Sequence, residues 1–208
     1  MNALAVYRKK RNFKATPEPA GTRSQNRKKH GPKEPLFVIQ KHAARRLHYD
    51  FRLQDGGVLK SWAVPKGPSL DPKDKRLAMQ TEDHPLNYAE FEGIIPAGNY
   101  GAGTVIVWDY GTYVNLSHHP LTKKKRSLKA GLARGQIMVW LKGKKLQGTY
   151  ILMRLKNDAA GKTPWLLIKG RDKAADARRN PVVSRPESVF SGLTLEQMRQ
   201  SSKAKKWT

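Results

Sequence analysis

The chain has 208 residues and a mass of 23.5 kDa, room for one compact domain with tails. It carries 41 Lys+Arg against 16 Asp+Glu, a formal charge of +25, which points to a polyanionic partner such as nucleic acid or an anionic membrane surface. The absence of cysteine excludes disulfide frameworks, zinc knuckles and cysteine nucleophiles, and it fits a reducing, cytoplasmic compartment. No apolar run approaches the ~18 residues of a membrane span, and the N-terminus lacks the apolar stretch of a secretory signal.

Residues 1–35 hold ten Lys/Arg and only two acids, Glu18 and Glu34, with Pro17, Pro19 and Pro32 interspersed. Such a composition buries too little apolar surface to offset ordering, so a flexible, disordered basic arm is predicted there. From Leu36 the pattern changes to short runs rich in Val, Ile, Trp and Tyr between Gly, Pro, Asp and Asn. Strands are predicted at 36–42, 46–54, 58–65, 76–82, 103–109, 136–142, 147–155 and 164–169. Many short strands with few helical stretches predict a mainly β fold, a small closed or nearly closed antiparallel β-barrel over 36–192. Short helices are expected at 126–133 and 194–200, the second capped by Thr194, with 193–208 forming a helix and frayed tail. From Tyr110 to Asn157 there are eleven Lys/Arg and no acid, whereas nine of the sixteen acids lie between Asp50 and Asp109. The first stretch reads as a polyanion-facing surface.

The segment from Gln40 to Leu53 is the most informative. On a strand, alternate side chains share a face, so Leu47, Tyr49, Phe51 and Leu53 are expected in the core and His48, Asp50 and Arg52 on the opposite side. Gln40 and His42 lie on the preceding strand, and a return through residues 43–46 would bring His42 beside His48. Two imidazoles and a carboxylate make a three-point site for a divalent transition metal with positions left for water and substrate. The planar fork of Arg52 suits a phosphate, and Lys66 and Arg76 are further cations in reach of phosphoryl chemistry. His84 is a candidate proton donor or phosphate ligand, and Tyr88 a phosphate contact or a core aromatic. The Gly-rich segment 95–103 lacks the Gly-Lys-Ser/Thr ending of a P-loop and reads as a tight turn lining the site.

These motifs resemble the 3′-phosphoesterase family, best known as a domain of bacterial DNA ligase D in non-homologous end joining and also found freestanding. The resemblance runs from about Tyr7 to Leu195. It rests on His42/His48/Asp50/Arg52, the Lys-Ser-Trp-Ala-Val-Pro-Lys-Gly-Pro block at 60–68, Glu82-Asp-His-Pro-Leu with Tyr88, and Phe91-Glu-Gly-Ile with Tyr100-Gly-Ala-Gly. It implies a small β-barrel enzyme, dependent on Mn²⁺ (Co²⁺ or another divalent transition metal being the alternatives), that heals DNA 3′ ends. A phosphodiesterase step removes a terminal ribonucleoside and a phosphomonoesterase step then removes the 3′-phosphate. By position, His42, His48 and Asp50 would bind the metal. Arg52 and His84 would hold the scissile phosphate, with Gln40, Lys66, Arg76, Glu82 and Tyr88 assisting. Arg11 and Glu18 in the arm match positions linked to activity, while Asn12 stands where an aspartate is expected. The implied partners are primer–template 3′ ends carrying a ribonucleotide or 3′-phosphate. With no Lys-x-Asp-Gly nucleotidyltransferase signature, a separate DNA ligase and an end-binding protein are expected to act alongside, and the chain is expected to be monomeric.

Two other readings compete. The His/His/Asp set also suits a non-haem Fe(II) oxygenase, although there the second histidine usually follows from far away and the cations here favour phosphate. A non-catalytic basic barrel would instead track nucleic-acid backbones with the Lys123–Arg126 run and the acid-free stretch.

Overall fold

The structure is a computed structural model that describes residues 3–21, 34–118, 122, 124–156 and 164–201. Eight strands form its frame: β1 (Leu36–Ala43), β2 (Leu47–Asp55), β3 (Val58–Val64), β4 (Lys75–Gln80), β7 (Gly103–Asn115), β8 (Gln136–Gly143), β9 (Gln147–Arg154) and β10 (Pro164–Lys169). They pair antiparallel in the order β1-β2-β3-β4-β10-β9-β8-β7, and β7 pairs back onto β1 to close the barrel. The predicted strands therefore agree with those observed to within a few residues, except that β7 runs on to Asn115. Two pairings were not predicted: β5 (His84–Pro85) on β3, and β6 (Gly93–Ile95) on the start of β7. At two and three residues they are too short to show a period of two.

Alternation fills the interior. Phe37, Ile39, Tyr49, Phe51, Trp62, Trp108 and Trp165 point inward, as expected of a small barrel whose lumen is occupied by side chains. Trp62 and Trp165 meet edge to face with centroids 5.7 Å apart. Leu47 departs from its expected core position: at the first residue of β2 it is 48% exposed. Helix α2 (Leu128–Arg134) starts at Ser127, whose side chain accepts from Ala130 N, and stops at left-handed Gly135. After the short helix α3 (Pro181–Ser184), α4 (Leu195–Gln200) opens on the expected Thr194 cap, completed by a reciprocal Gln197 bond.

A second apolar cluster lies outside the barrel wall, and it positions the site. Val38 of β1, Leu59 of β3 and Val105 and Val107 of β7 are roofed by Tyr7, Tyr88 and Phe91. Tyr88 belongs to a 3₁₀ turn, Leu86–Glu90. Tyr7 comes from the arm that was expected to be disordered. Residues 3–21 of that arm instead fold onto the barrel through helix α1 (Ala5–Lys9), with Tyr7 fully buried and its hydroxyl donating to Pro19 O at 2.7 Å. The physical reason is a pair of apolar anchors, Tyr7 and Phe13, combined with ion pairs from Lys10 and Arg11. Residues 22–33 of the arm, Lys123 and residues 202–208 of the expected tail lie outside the described residues.

Candidate metal centre and its phosphate-facing cations

The β1–β2 register pairs His42 with His48 and Gln40 with Asp50, the juxtaposition expected from a short return through residues 43–46. All four side chains leave the outer face of the barrel, because inward-pointing Ile39, Tyr49 and Phe51 occupy the alternate positions. Asp50 Oδ2 stands 3.6 Å from His42 Nδ1 and 3.7 Å from His48 Nε2. The three donor atoms all lie within 4.8 Å of one another.

The remaining ring nitrogens fix what these donors can do. His42 Nε2 donates to Gly101 O at 2.8 Å and His48 Nδ1 donates to Arg46 O at 2.9 Å, since a carbonyl oxygen can only accept. In the neutral imidazoles His42 Nδ1 and His48 Nε2 then carry lone pairs, and both face an anionic oxygen. Acceptors aimed at one another need a proton or a cation between them. Two imidazole nitrogens and a carboxylate oxygen suit a divalent transition metal, and ligands about 2.1 Å from a common ion at tetrahedral angles stand about 3.4 Å apart, close to the two separations from Asp50 Oδ2. The carbonyls of Gly101 and Arg46 play the orienting part that outer partners play at metal sites.

Charge is arranged around the same oxygen. Arg52 Nη2 lies 3.1 Å from Asp50 Oδ2. Burial alone would raise the Asp50 pKa; the Arg52 charge and the two imidazoles override it and hold the carboxyl well below the usual range. Burial alone would lower that of His48, but Asp50 raises it above the ordinary histidine value. Arg52 also donates from Nε to Gln40 Oε1 at 2.8 Å and from Nη1 to Ser61 Oγ at 2.9 Å. That locks its plane and leaves a second N–H on each terminal nitrogen for another acceptor. Gln40, fully buried, spends its amide on Tyr88 O and Phe91 O, so it holds Arg52 and the 86–91 turn and does not reach outward.

The docked arm builds the opposite wall. Arg11 donates to Glu18 Oε1 at 2.9 Å, to Glu82 Oε1 at 3.0 Å and, from Nη2, to His84 Nε2 at 3.3 Å. Tyr88 OH donates to the same Glu18 oxygen at 2.9 Å. Its ring is buried, as in the core alternative, while its hydroxyl serves this polar network. His84 Nδ1 donates to Glu82 O at 2.9 Å, which leaves Nε2 as the acceptor that Arg11 uses. Burial, Arg52 and Arg11 all push the His84 pKa well below its ordinary value. His84 is therefore a neutral imidazole here, a poor proton donor.

Two expected cations stand apart. Lys66 is exposed in the turn after β3, beyond Val64, which pairs with Tyr49 near the His48 end. Arg76 belongs to the other face: Ala63 pairs with Asp50 and with Met79, so Met79 shares the Asp50 side, and Arg76 three residues away points the opposite way to bond Asp74. Sequence reasoning missed Ser61, Lys10 and the Gly101 carbonyl. Ser61 pairs with Arg52, and only the register reveals it. Lys10 donates to Glu82 at 3.0 Å and to Tyr100 OH at 3.2 Å.

Among the described residues no helix is long and apolar enough to cross a membrane. The chain matches the DNA Ligase D 3′-phosphoesterase domain over residues 40–154. It is 47% identical over 194 residues, 92% of this chain and 22% of the relative, to the multifunctional non-homologous end joining protein LigD of Pseudomonas aeruginosa. The LigD of Mycobacterium bovis is 46% identical over 157 residues (74% of this chain, 19% of that one). That of Mycolicibacterium smegmatis is 39% identical over 204 residues (98% and 24%). The chain thus spans about a quarter or less of the length of these curated relatives. Identity at this level over nearly the whole chain, joined to a family match that includes every donor of the metal centre, leads to one conclusion: the chain belongs to the DNA ligase D 3′-phosphoesterase family.

Proposed function

We propose that the chain is a Mn²⁺-dependent phosphoesterase that heals DNA 3′ ends, removing a terminal ribonucleoside and then the 3′-phosphate to leave a 3′-hydroxyl. The observation that carries this reading is the convergence of two imidazole nitrogens and the Arg52 guanidinium on one oxygen of Asp50. His42, His48 and Asp50 would hold the ion, which when bound supplies charge against a phosphate oxygen and acidifies water.

The chain's own residues would do the rest. Arg52, fixed by Gln40 and Ser61, presents its free N–H groups to the phosphate and offsets the negative charge that spreads over the equatorial oxygens. Burial, Arg52 and Arg11 keep His84 neutral; the charge of an incoming phosphate opposes the two arginines, and with Arg11 Nη2 turned to that anion, His84 Nε2 would take a proton and donate to it as well. Water adds to phosphorus, the ester P–O bond breaks, and the proton that the water gives up ends on the departing oxygen. Glu18, Glu82 and Tyr88 position Arg11, and Lys66 would meet the DNA backbone. Arg76, bonded to Asp74 on the other face, would act on the fold. A basic barrel that only coats DNA has no use for two tautomer-fixed imidazoles around a buried carboxylate. The substrates would be primer–template 3′ ends, with a separate ligase and an end-binding protein acting alongside; the relatives' names, which speak of non-homologous end joining, support an end-processing setting.

The test is a 5′-labelled primer–template ending in one ribonucleotide, incubated with Mn²⁺ or with EDTA. Metal-dependent shortening of the primer, first to a 3′-phosphate and then to a 3′-hydroxyl end, is expected. A gel shift without product would leave only the binding barrel.

A further inference from the structure

One aromatic at the mouth of the site takes no part in the chemistry above. Tyr100 is 49% exposed, yet it sits on a segment with little freedom to move. Its neighbour Gly101 accepts from His42, so the ring is one peptide away from an orienting group of the metal centre. Asn99 ties the loop to the docked arm by donating to Ala15 O and closes the turn through Pro96 O. At the far end Gly103 (φ +146°) lies against β1 so closely that an added Cβ would fall 2.2 Å from Ala43 O. Two cations lie over the ring, Lys10 Nζ 4.7 Å and Arg11 Cζ 5.3 Å from its centroid; both are paired with Glu82, and Lys10 also donates to the Tyr100 hydroxyl at 3.2 Å. A rigidly mounted, half-open aromatic beside cations is the arrangement that accepts a nucleobase on the ring and its phosphates on the neighbouring charges, without regard to base identity.

We propose that Tyr100 is the stacking platform for the terminal nucleobase of the primer and so sets where the 3′ end lies relative to Arg52 and the metal donors. This deepens, and rests on, the 3′-end reading above. The ring contributes substrate affinity through its face; the hydroxyl, which accepts from Lys10 at 3.2 Å, takes no part in the stacking.

The experiment compares wild type, Tyr100→Ala, Tyr100→Leu and Tyr100→Phe on primers ending in a ribonucleotide with a base and in an abasic ribose. Stacking on one base predicts that Tyr100→Ala and Tyr100→Leu raise KM about 5- to 100-fold on the base-bearing end, with kcat little changed. On the abasic end the loss should fall below about twofold, and Tyr100→Phe should match wild type on both. A second readout needs no metal: 2-aminopurine at the primer 3′ end, bound in EDTA, should be quenched by wild type and Tyr100→Phe but not by Tyr100→Ala. Equal losses on both ends, no loss on either, a Tyr100→Phe defect as large as that of Tyr100→Ala, or quenching retained in Tyr100→Ala would each overturn the proposal. Failure of the phosphoesterase reading looks different, because wild type would then yield no product from either primer.

Discussion

Replacing Arg11 by Met keeps the length of the side chain and removes its charge from between two carboxylates. Arg11 is almost wholly buried, 2.9 Å from Glu18 and 3.0 Å from Glu82. Breaking a buried pair by deleting one partner costs about 3–5 kcal/mol. Glu18 keeps the Tyr88 and Thr16 hydroxyls and Glu82 keeps Lys10, so the lower end, about 3 kcal/mol, applies. The eight-strand barrel closes without residues 3–21. The cost should therefore fall on docking of that segment, raising its undocked population roughly 100-fold. Hydrogen exchange by mass spectrometry reads this directly: peptides spanning Ala5–Lys9 should exchange far faster while β2 and β10 keep their protection. Arg11→Lys, which keeps the charge but loses the fork, should be intermediate. Unchanged exchange in α1, or equal acceleration in the barrel strands, would refute the reasoning.

Gln40→Leu leaves Arg52 Nε and two buried carbonyls without their partner, so stability should fall by about 3 kcal/mol and kcat by roughly tenfold or more, with Mn²⁺ affinity nearly unchanged. Melting curves and metal titration separate the two effects, and loss of metal binding would contradict the assignment of Gln40 to positioning Arg52. Burial would raise the Glu82 pKa, but hydrogen bonds from Lys10 and Arg11 outweigh it and hold the carboxyl below its ordinary 4.5. A folded pKa below the unfolded one gives stability that is fully present above pH 4.5 and lost as pH falls through the lowered value. Protection of α1 should follow that course in wild type and lose its acid-side dependence on Glu82 in Glu82→Gln. DNA affinity should weaken linearly on a log–log plot against salt, with a slope of about 0.9 for each phosphate contact. A flat response between low and physiological ionic strength would argue against backbone contacts.

Much of the site was legible because it lies on a hairpin. Strand alternation puts His48, Asp50 and Arg52 on one side, and a short return brings His42 beside His48, so local geometry carries the expectation. What needed long-range information stayed hidden. Arg76 was expected, like Lys66, within reach of the phosphate, but the β3–β4 register sets it on the opposite face from Asp50. The docking of residues 3–21 depends on the partners Glu82, His84 and Tyr88, about seventy residues away, and bulk composition argued for disorder. The signal was present in Tyr7 and Phe13, two aromatics that a solvated basic tail has no reason to carry. The neutrality of His84 was equally invisible, since it arises from burial next to two arginines that meet only in the fold. Leu47 followed the alternation rule but sits where the strand begins, beyond the cover of the core.

The shared cation at Asp50 is best tested by titrating Mn²⁺ near neutral pH and counting bound ion by electron paramagnetic resonance, with no substrate present. Wild type should take up a single tightly held ion per chain, and His42→Ala, His48→Ala and Asp50→Ala should each weaken it by about tenfold or more while the barrel stays folded. Binding as tight in the three variants as in wild type would mean that these side chains do not hold the metal.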